Sequence, residues 1–234
     1  KFQITDAEVA TVYSTLCGSY AWYVSSYTEQ LFGTGNNQMK NVEVRDFGEM
    51  AASSTFGNEW NSTYLNLNNL IAIKKKCADG GVNAGNYDLL GMAETLEALN
   101  WGILTDLHGD IPCSETFGTV RSPKLDTQKE IYDKIFALLD DAQVNFAKGG
   151  GHVTIQDLLF QNDLQKWSGL AHAIKARYLL HTYGVDKSVL SNVLKEAQAA
   201  ISAGFDGANL DIFNGKTADN AWSAYHWSRS YIGS

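Results

Sequence analysis

Apolar residues recur along this chain at spacings of three and four, in six separate stripes, and no run alternates long enough to anchor a sheet. That periodicity confines the chain to helices packed on helices. The first stripe is Val9, Val12, Tyr13, Leu16, Tyr20 and Tyr23, which predicts a helix to about Thr28. Trp60, Tyr64, Leu67 and Ile71 make the second, and Leu89, Ala93, Leu96, Ile103 and Leu107 the third. Ile131, Ile135, Leu138 and Ala142 form the fourth; Trp167, Leu170, Ile174, Tyr178 and His181 the fifth. Leu190, Val193, Leu194, Ala197 and Ile201 complete the series.

Helix ends can be read as well. Thr5 with Glu8, and Thr127 with Glu130, fit the T-x-x-E capping box, in which each side chain satisfies a backbone N–H of the first turn. Gly80-Gly81, Gly109, Gly184 and Gly204 stand where helices stop, and Pro112 prevents continuation. Gly149-Gly150-Gly151 breaks the chain again. Small residues (Gly91, Ala93, Gly102; Gly169, Ala171, Ala173) fall where antiparallel helices would cross. The fold class is therefore mainly α with long irregular loops, either helix pairs stacked into a tetratricopeptide-like superhelix or an irregular helical bundle. Residues 31–58 are one such loop, glycine- and asparagine-rich, with room for a short helix near Asp46. Residues 214–234 are an irregular, aromatic-rich tail. His152–Ile155 is the one short extended piece.

Charge and missing motifs exclude several functions. With 18 basic and 26 acidic residues the formal charge is −8, unsuited to a phosphate backbone, so no nucleic-acid partner is expected. Lys74-Lys75-Lys76 closes a predicted helix, where cations complement the dipole. Cys17, Cys77 and Cys113 are widely spaced and form no metal-ligand pattern; Cys17 reads as a small core residue. The chain lacks HExxH, a P-loop and GxSxG. Its five histidines are scattered, and the acid pairs Asp140-Asp141 and Glu94/Glu97 read as solvated helix faces. No catalytic residue, metal ligand or cofactor site can be named. Aromatics and amides outside the stripes remain as binding candidates: Phe32, Asn36, Asn37, Gln38 and Arg45 in the loop, and Trp222, Tyr225 and Trp227, with Tyr231 beyond them, in the tail. Rings of this kind stack on the apolar faces of sugars, while amide and guanidinium groups bond to hydroxyls. Core packing is the alternative for the tail.

Four segments carry more than periodicity. Ile103-Leu-Thr-Asp-Leu-His-Gly-Asp-Ile-Pro112 resembles the "L-x-D-x-[YFH]-G-D-[IV]-P" signature of SusD/RagB-type outer-membrane lipoproteins of the Bacteroidetes. Asp126–Ala142 is similar to the helix that follows it in that family, with an "IY-x-x-[IL]" core. Asp157-Leu-Leu-Phe160 through Trp167 and Arg177 resembles a further family helix, closest to the branch called SusD-like family two. Trp60-Asn-Ser-Thr-Tyr64 falls where the family has "W-x-x-[LY]-Y". In these positions Gly109 allows a left-handed helix end, Asp110 caps the turn, and Arg177 pairs with a carboxylate between helices. Cys113 departs from the aromatic or apolar residue more usual there.

The resemblance implies a single helical domain over 1–234, the N-terminal portion of a longer protein and cut short at its C-terminal end. It implies a non-enzymatic surface lipoprotein of the outer membrane, tied to the membrane only through an N-terminal lipid anchor absent from this chain. Such a protein takes no cofactor, binds an oligosaccharide and delivers it to a SusC-like TonB-dependent transporter. The alternative is a helical-repeat adaptor that binds protein and no small ligand.

Overall fold

A computed structural model describes residues 3–33, 37–45, 56–151 and 156–228. The elements are α1 (Gln3–Ala10), a π-helical turn (Thr11–Leu16), α2 (Ser19–Tyr27), α3 (Asn37–Glu43), α4 (Gly57–Cys77), α5 (Tyr87–His108), α6 (Gln128–Lys148), α7 (Leu164–His181), α8 (Leu190–Ser202) and α9 (Ala221–Ser228). Among the described residues the strand-like pairing is one isolated antiparallel bridge, Ile111 with Asp126. The chain forms two compact units. Lys1–Glu8 joins Leu67–Asn209 in the first; Val9–Asn66 joins Leu210–Ser234 in the second.

The first unit is built of antiparallel helix pairs, α5 on α6 and α7 on α8, as tetratricopeptide-like packing requires. In α5, every residue from Gly91 to Gly102 is buried. Its turn into α6 accounts for the Gly109–Pro112 motif. Gly109 has a φ of 73°, a conformation open to glycine. Asp110 then caps forward, not back: its Oδ1 accepts the Gln128 N–H of α6 at 2.8 Å. Thr127 and Glu130 complete the full capping box. Asp126 accepts the N–H groups of Cys113 and Ser114 and the Ser114 hydroxyl, with Lys124 3.3 Å away. Burial pushes its carboxyl up, but these donors prevail and hold it at about 2.

A second buried carboxylate organises the start of α7. Asp157, 1% exposed, accepts N–H bonds from Leu159, Phe160 and Asn162 and from the Trp167 indole. The Asp157…Trp167 motif is thus one hydrogen-bonded knot. Asp163 caps α7 through the N–H groups of Gln165 and Lys166.

Several expectations from the sequence are corrected. The first stripe is not one helix: a π turn and Gly18 interrupt it, and the chain passes so close there that a Cβ at Gly18 would collide with the Ser14 carbonyl. Within segment 31–58, Asn37–Glu43 is helical; Asp46, like the extended piece 152–155, lies outside the described residues. Glu94 and Glu97 are buried, not solvated. Glu97 accepts from Lys74 and from the Trp101 indole, with Lys134 at 3.4 Å, and Glu94 accepts from Asn145. Burial pushes the Glu94 carboxyl up to about 7. The sixth stripe faces solvent: Leu190, Leu194 and Ile201 are exposed, while Glu196 and Ala200 are buried. Glu196 meets His172 at 2.6 Å and Lys175 at 3.4 Å. Arg177 is exposed, and Lys175 makes the inter-helix ion pairs, with Asp140 as well as Glu196. All three cysteines are free thiols, Cys17 only half-buried.

Thr5 and Glu8 do not form a capping box. Thr5 donates to the Gln156 carbonyl at 2.6 Å, and Glu8 is fully buried, accepting the Leu158 N–H at 2.8 Å. Burial, together with the nearby Asp157 carboxylate, pushes the Glu8 carboxyl up to about 9. A folded value far above the unfolded one means the native state keeps a proton that the unfolded chain gives up. Stability from this group is therefore intact below about 4.5 and declines as pH rises through about 9. Urea melts of wild type and Glu8→Gln across that window should show the decline in wild type and a flatter profile in the amide variant. Parallel profiles would mean Glu8 is ionised in the native state.

Candidate glycan-binding surface

The second unit holds both segments singled out for binding. In α2, Tyr20, Tyr23 and Ser26 are buried. Phe56 packs on Tyr20 and edge-on to Tyr23, with centroids 5.5 and 5.3 Å apart. α3 turns Met39 and Val42, one helical step apart, onto Tyr23, with Trp22 and Phe56 beside them. The break before α2 is held by Glu59, which accepts the N–H and the hydroxyl of Ser19.

Arg45 ties the C-terminal ends of α2 and α3 together. Its guanidinium donates to the Tyr27 carbonyl at 3.2 Å and the Glu43 carbonyl at 3.3 Å, and pairs with Glu29 at 2.8 Å. It also lies 5.4 Å from the centre of the Tyr27 ring. A cation is favourable at helix C-termini, where carbonyls are left unpaired. Glu29 and Arg45 both have positive φ, 63° and 55°, which a non-glycine residue adopts at a cost.

Beside the clasp the surface is aromatic and open. Phe32 is 75% exposed and Tyr27 50%, with Leu31 and Val44 also exposed. Gly33, next to Phe32, donates its N–H to the Glu43 carboxylate at 3.4 Å, which ties this stretch to the end of α3 where Arg45 stands; Tyr27 and Glu29, which the sequence did not single out, contact Arg45. Tyr27 follows Tyr23 by four and reads as more of the buried stripe; it escapes burial because α2 ends there. Asn36 lies outside the described residues; Asn37 and Gln38 open α3, and their side chains also lie outside.

In the tail, Asn220 accepts the Trp222 N–H and starts α9. Trp222 is half-buried and meets Trp22 edge-on at 6.3 Å, within the same unit as the loop. α9 carries Tyr225 and Trp227, whose side chains lie outside the described residues, as does Tyr231. Among the described residues, no group of three His, Cys, Asp or Glu side chains is placed to hold a metal ion. No described helix is long and apolar enough to cross a membrane.

No curated protein matches this chain. Solved structures do. A SusD/RagB family protein from Bacteroides thetaiotaomicron VPI-5482 is 35% identical with a TM-score of 0.88, over 99% of this chain and 49% of its own. A SusD homolog from Parabacteroides distasonis ATCC 8503 is 17% identical with a TM-score of 0.72, over 97% of this chain and 45% of its own. A chitin-binding SusD homolog from Flavobacterium johnsoniae is also 17% identical, with a TM-score of 0.64 over 85% of this chain and 42% of its own. The last two show the fold alone, and this chain spans about half the length of each structure. A family model described as "Starch-binding associating with outer membrane" matches residues 11–232, so the chain belongs to the SusD-like family.

Proposed function

We propose that this chain serves in non-enzymatic capture of an oligosaccharide at the cell surface. The observation that carries this is an exposed Tyr27 ring against a guanidinium fixed by two helix ends, with the exposed Phe32 ring five residues further along the chain. Family membership supplies the ligand class, since the matched family is described as starch-binding. A surface fixed before binding loses little entropy when the sugar arrives. In the same reading Trp222, Tyr225, Trp227 and the amides Asn36, Asn37 and Gln38 extend the surface. The whole protein would be a lipid-anchored outer-membrane lipoprotein that passes its ligand to a SusC-like TonB-dependent transporter.

Calorimetry with malto- and chito-oligosaccharides tests this reading. Phe32→Ala should weaken binding about tenfold, or about 1.4 kcal/mol, and leave the melting temperature unchanged, because the ring is 75% exposed. Wild type that binds neither glycan, or Phe32→Ala that binds as well as wild type, would overturn it. The open apolar face of α8 (Leu190, Leu194, Ile201) favours a second reading, a helical adaptor that docks protein. That reading predicts no glycan binding and a protein partner that Leu194→Asp releases.

A further inference from the structure

The first unit carries a pocket of its own. Its volume is 430 Å³, and its walls are the turn Leu159–Phe160, the side chain of Lys166 and the segment Asp206–Asn209. That is toward the small end of small-molecule pockets, about 300–1,000 Å³.

Both walls are fixed by features already described. Asp157 holds the Leu159 and Phe160 amides from below. Phe160 is clamped edge-on by Trp167 at 5.4 Å and by Phe205 at 6.3 Å. The opposite wall leaves α8 through Gly204, φ 76°, and runs irregularly through Gly207, φ 124°. A side chain at Gly207 would be strained in that conformation, so the wall there stays bare backbone. Lys166 and Asp206 face each other at 3.5 Å, Lys166 partly exposed and Asp206 largely so. That separation is at the long limit of a hydrogen bond, so the pair can exchange its contact for hydroxyls at small cost.

We infer that this pocket binds a single neutral sugar unit of a glycan, with its C–H face on Leu159 and Phe160 and its hydroxyls on Lys166, Asp206 and Asn209. The juxtaposed cation and anion cancel, which disfavours a charged ligand. A carboxylate accepts from hydroxyls and an ammonium donates to them, while the Asn209 amide does both. This inference rests on the glycan-binding reading, and adds to it a second site on the other compact unit.

The test is backbone-amide NMR of the chain titrated with maltotriose and, separately, chitotriose. Wild type should show saturable shifts at Gly207 and Asn209 with at least one of the two. The double variant Asp206→Ala/Asn209→Ala should weaken that binding at least tenfold with an unchanged melting temperature. Phe32→Ala should leave the shifts intact. Shifts around Phe32 without any at 207–209, or shifts at 207–209 of unchanged affinity in the double variant, overturn the pocket and leave the function standing. No shifts in either unit overturn both. Ala208→Trp, which fills the pocket without deleting a polar group, should reproduce the double variant; retained affinity there also overturns the assignment.

Discussion

Trp167→Ala is expected to lower stability by about 3–5 kcal/mol. The ring is fully buried, packs against Phe160, and its indole N–H is one of the four donors converging on Asp157. The loss therefore combines a cavity with a weakened polar centre. Asp157→Ala should cost as much or more. It leaves three backbone amides and the indole without their acceptor, and each stranded buried group is worth about 1–3 kcal/mol. Because both variants break the same knot, the double variant should lose clearly less than the sum of the singles. Trp167→Phe separates the contributions, since it keeps most of the ring and removes only the donor. Urea denaturation of the four variants checks this; a Trp167→Ala loss under about 0.5 kcal/mol would show that the site relaxes freely.

Gly102→Ala should be the second large effect, with a sign opposite to the usual one. A glycine inside a helix normally costs about 1 kcal/mol relative to alanine, so the exchange would ordinarily stabilise. Here the added methyl would overlap the Tyr178 ring, which lies across from it on α7. Tyr178 has little freedom to yield. It is fully buried, donates to the Leu99 carbonyl at 3.1 Å, and stands edge-on to Tyr132 at 5.9 Å. Overpacking against a fixed neighbour should cost about 1–3 kcal/mol. Combining Gly102→Ala with Tyr178→Leu should recover part of that loss, since the smaller side chain makes room. Thermal melts of the two singles and the double measure the coupling, and additive effects would mean the ring moves aside.

The elements easiest to foresee were those with local signals. α5, α6 and α7 combine an apolar stripe with a capping residue or a terminal glycine, and the Thr127–Glu130 box formed as its spacing implies. What escaped the sequence was decided at long range. Thr5 and Glu8 have the spacing of a box, but both find partners near residue 157, and no local pattern reports that competition. Glu94 and Glu97 look like a solvated face until Lys74, Asn145 and Lys134 arrive from other helices. In α8 the most apolar face is open while Glu196 turns inward, because His172 and Lys175 of α7 offer it a polar partner. At the candidate site, Phe32 and Arg45 could be named because they stand outside any stripe. Tyr27 could not, since its exposure depends on where α2 stops.

The distant anchoring of α1 also bears on the order in which the chain can fold. Thr5 and Glu8 leave the ribosome well before their partners Gln156, Asp157 and Leu158, which follow some 150 positions later. At about 5–20 residues per second, that is a wait of roughly 7–30 s. Through that interval the first unit cannot close, whatever α5 and α6 have already done. Glu8 spends it in water, where its carboxylate is ionised at neutral pH. Closing the unit then requires a proton to be taken from solvent as Glu8 enters the protein beside Asp157. The last step of assembly should accordingly speed up as the medium becomes more acidic, down to about pH 4.5, below which Glu8 already carries its proton in water.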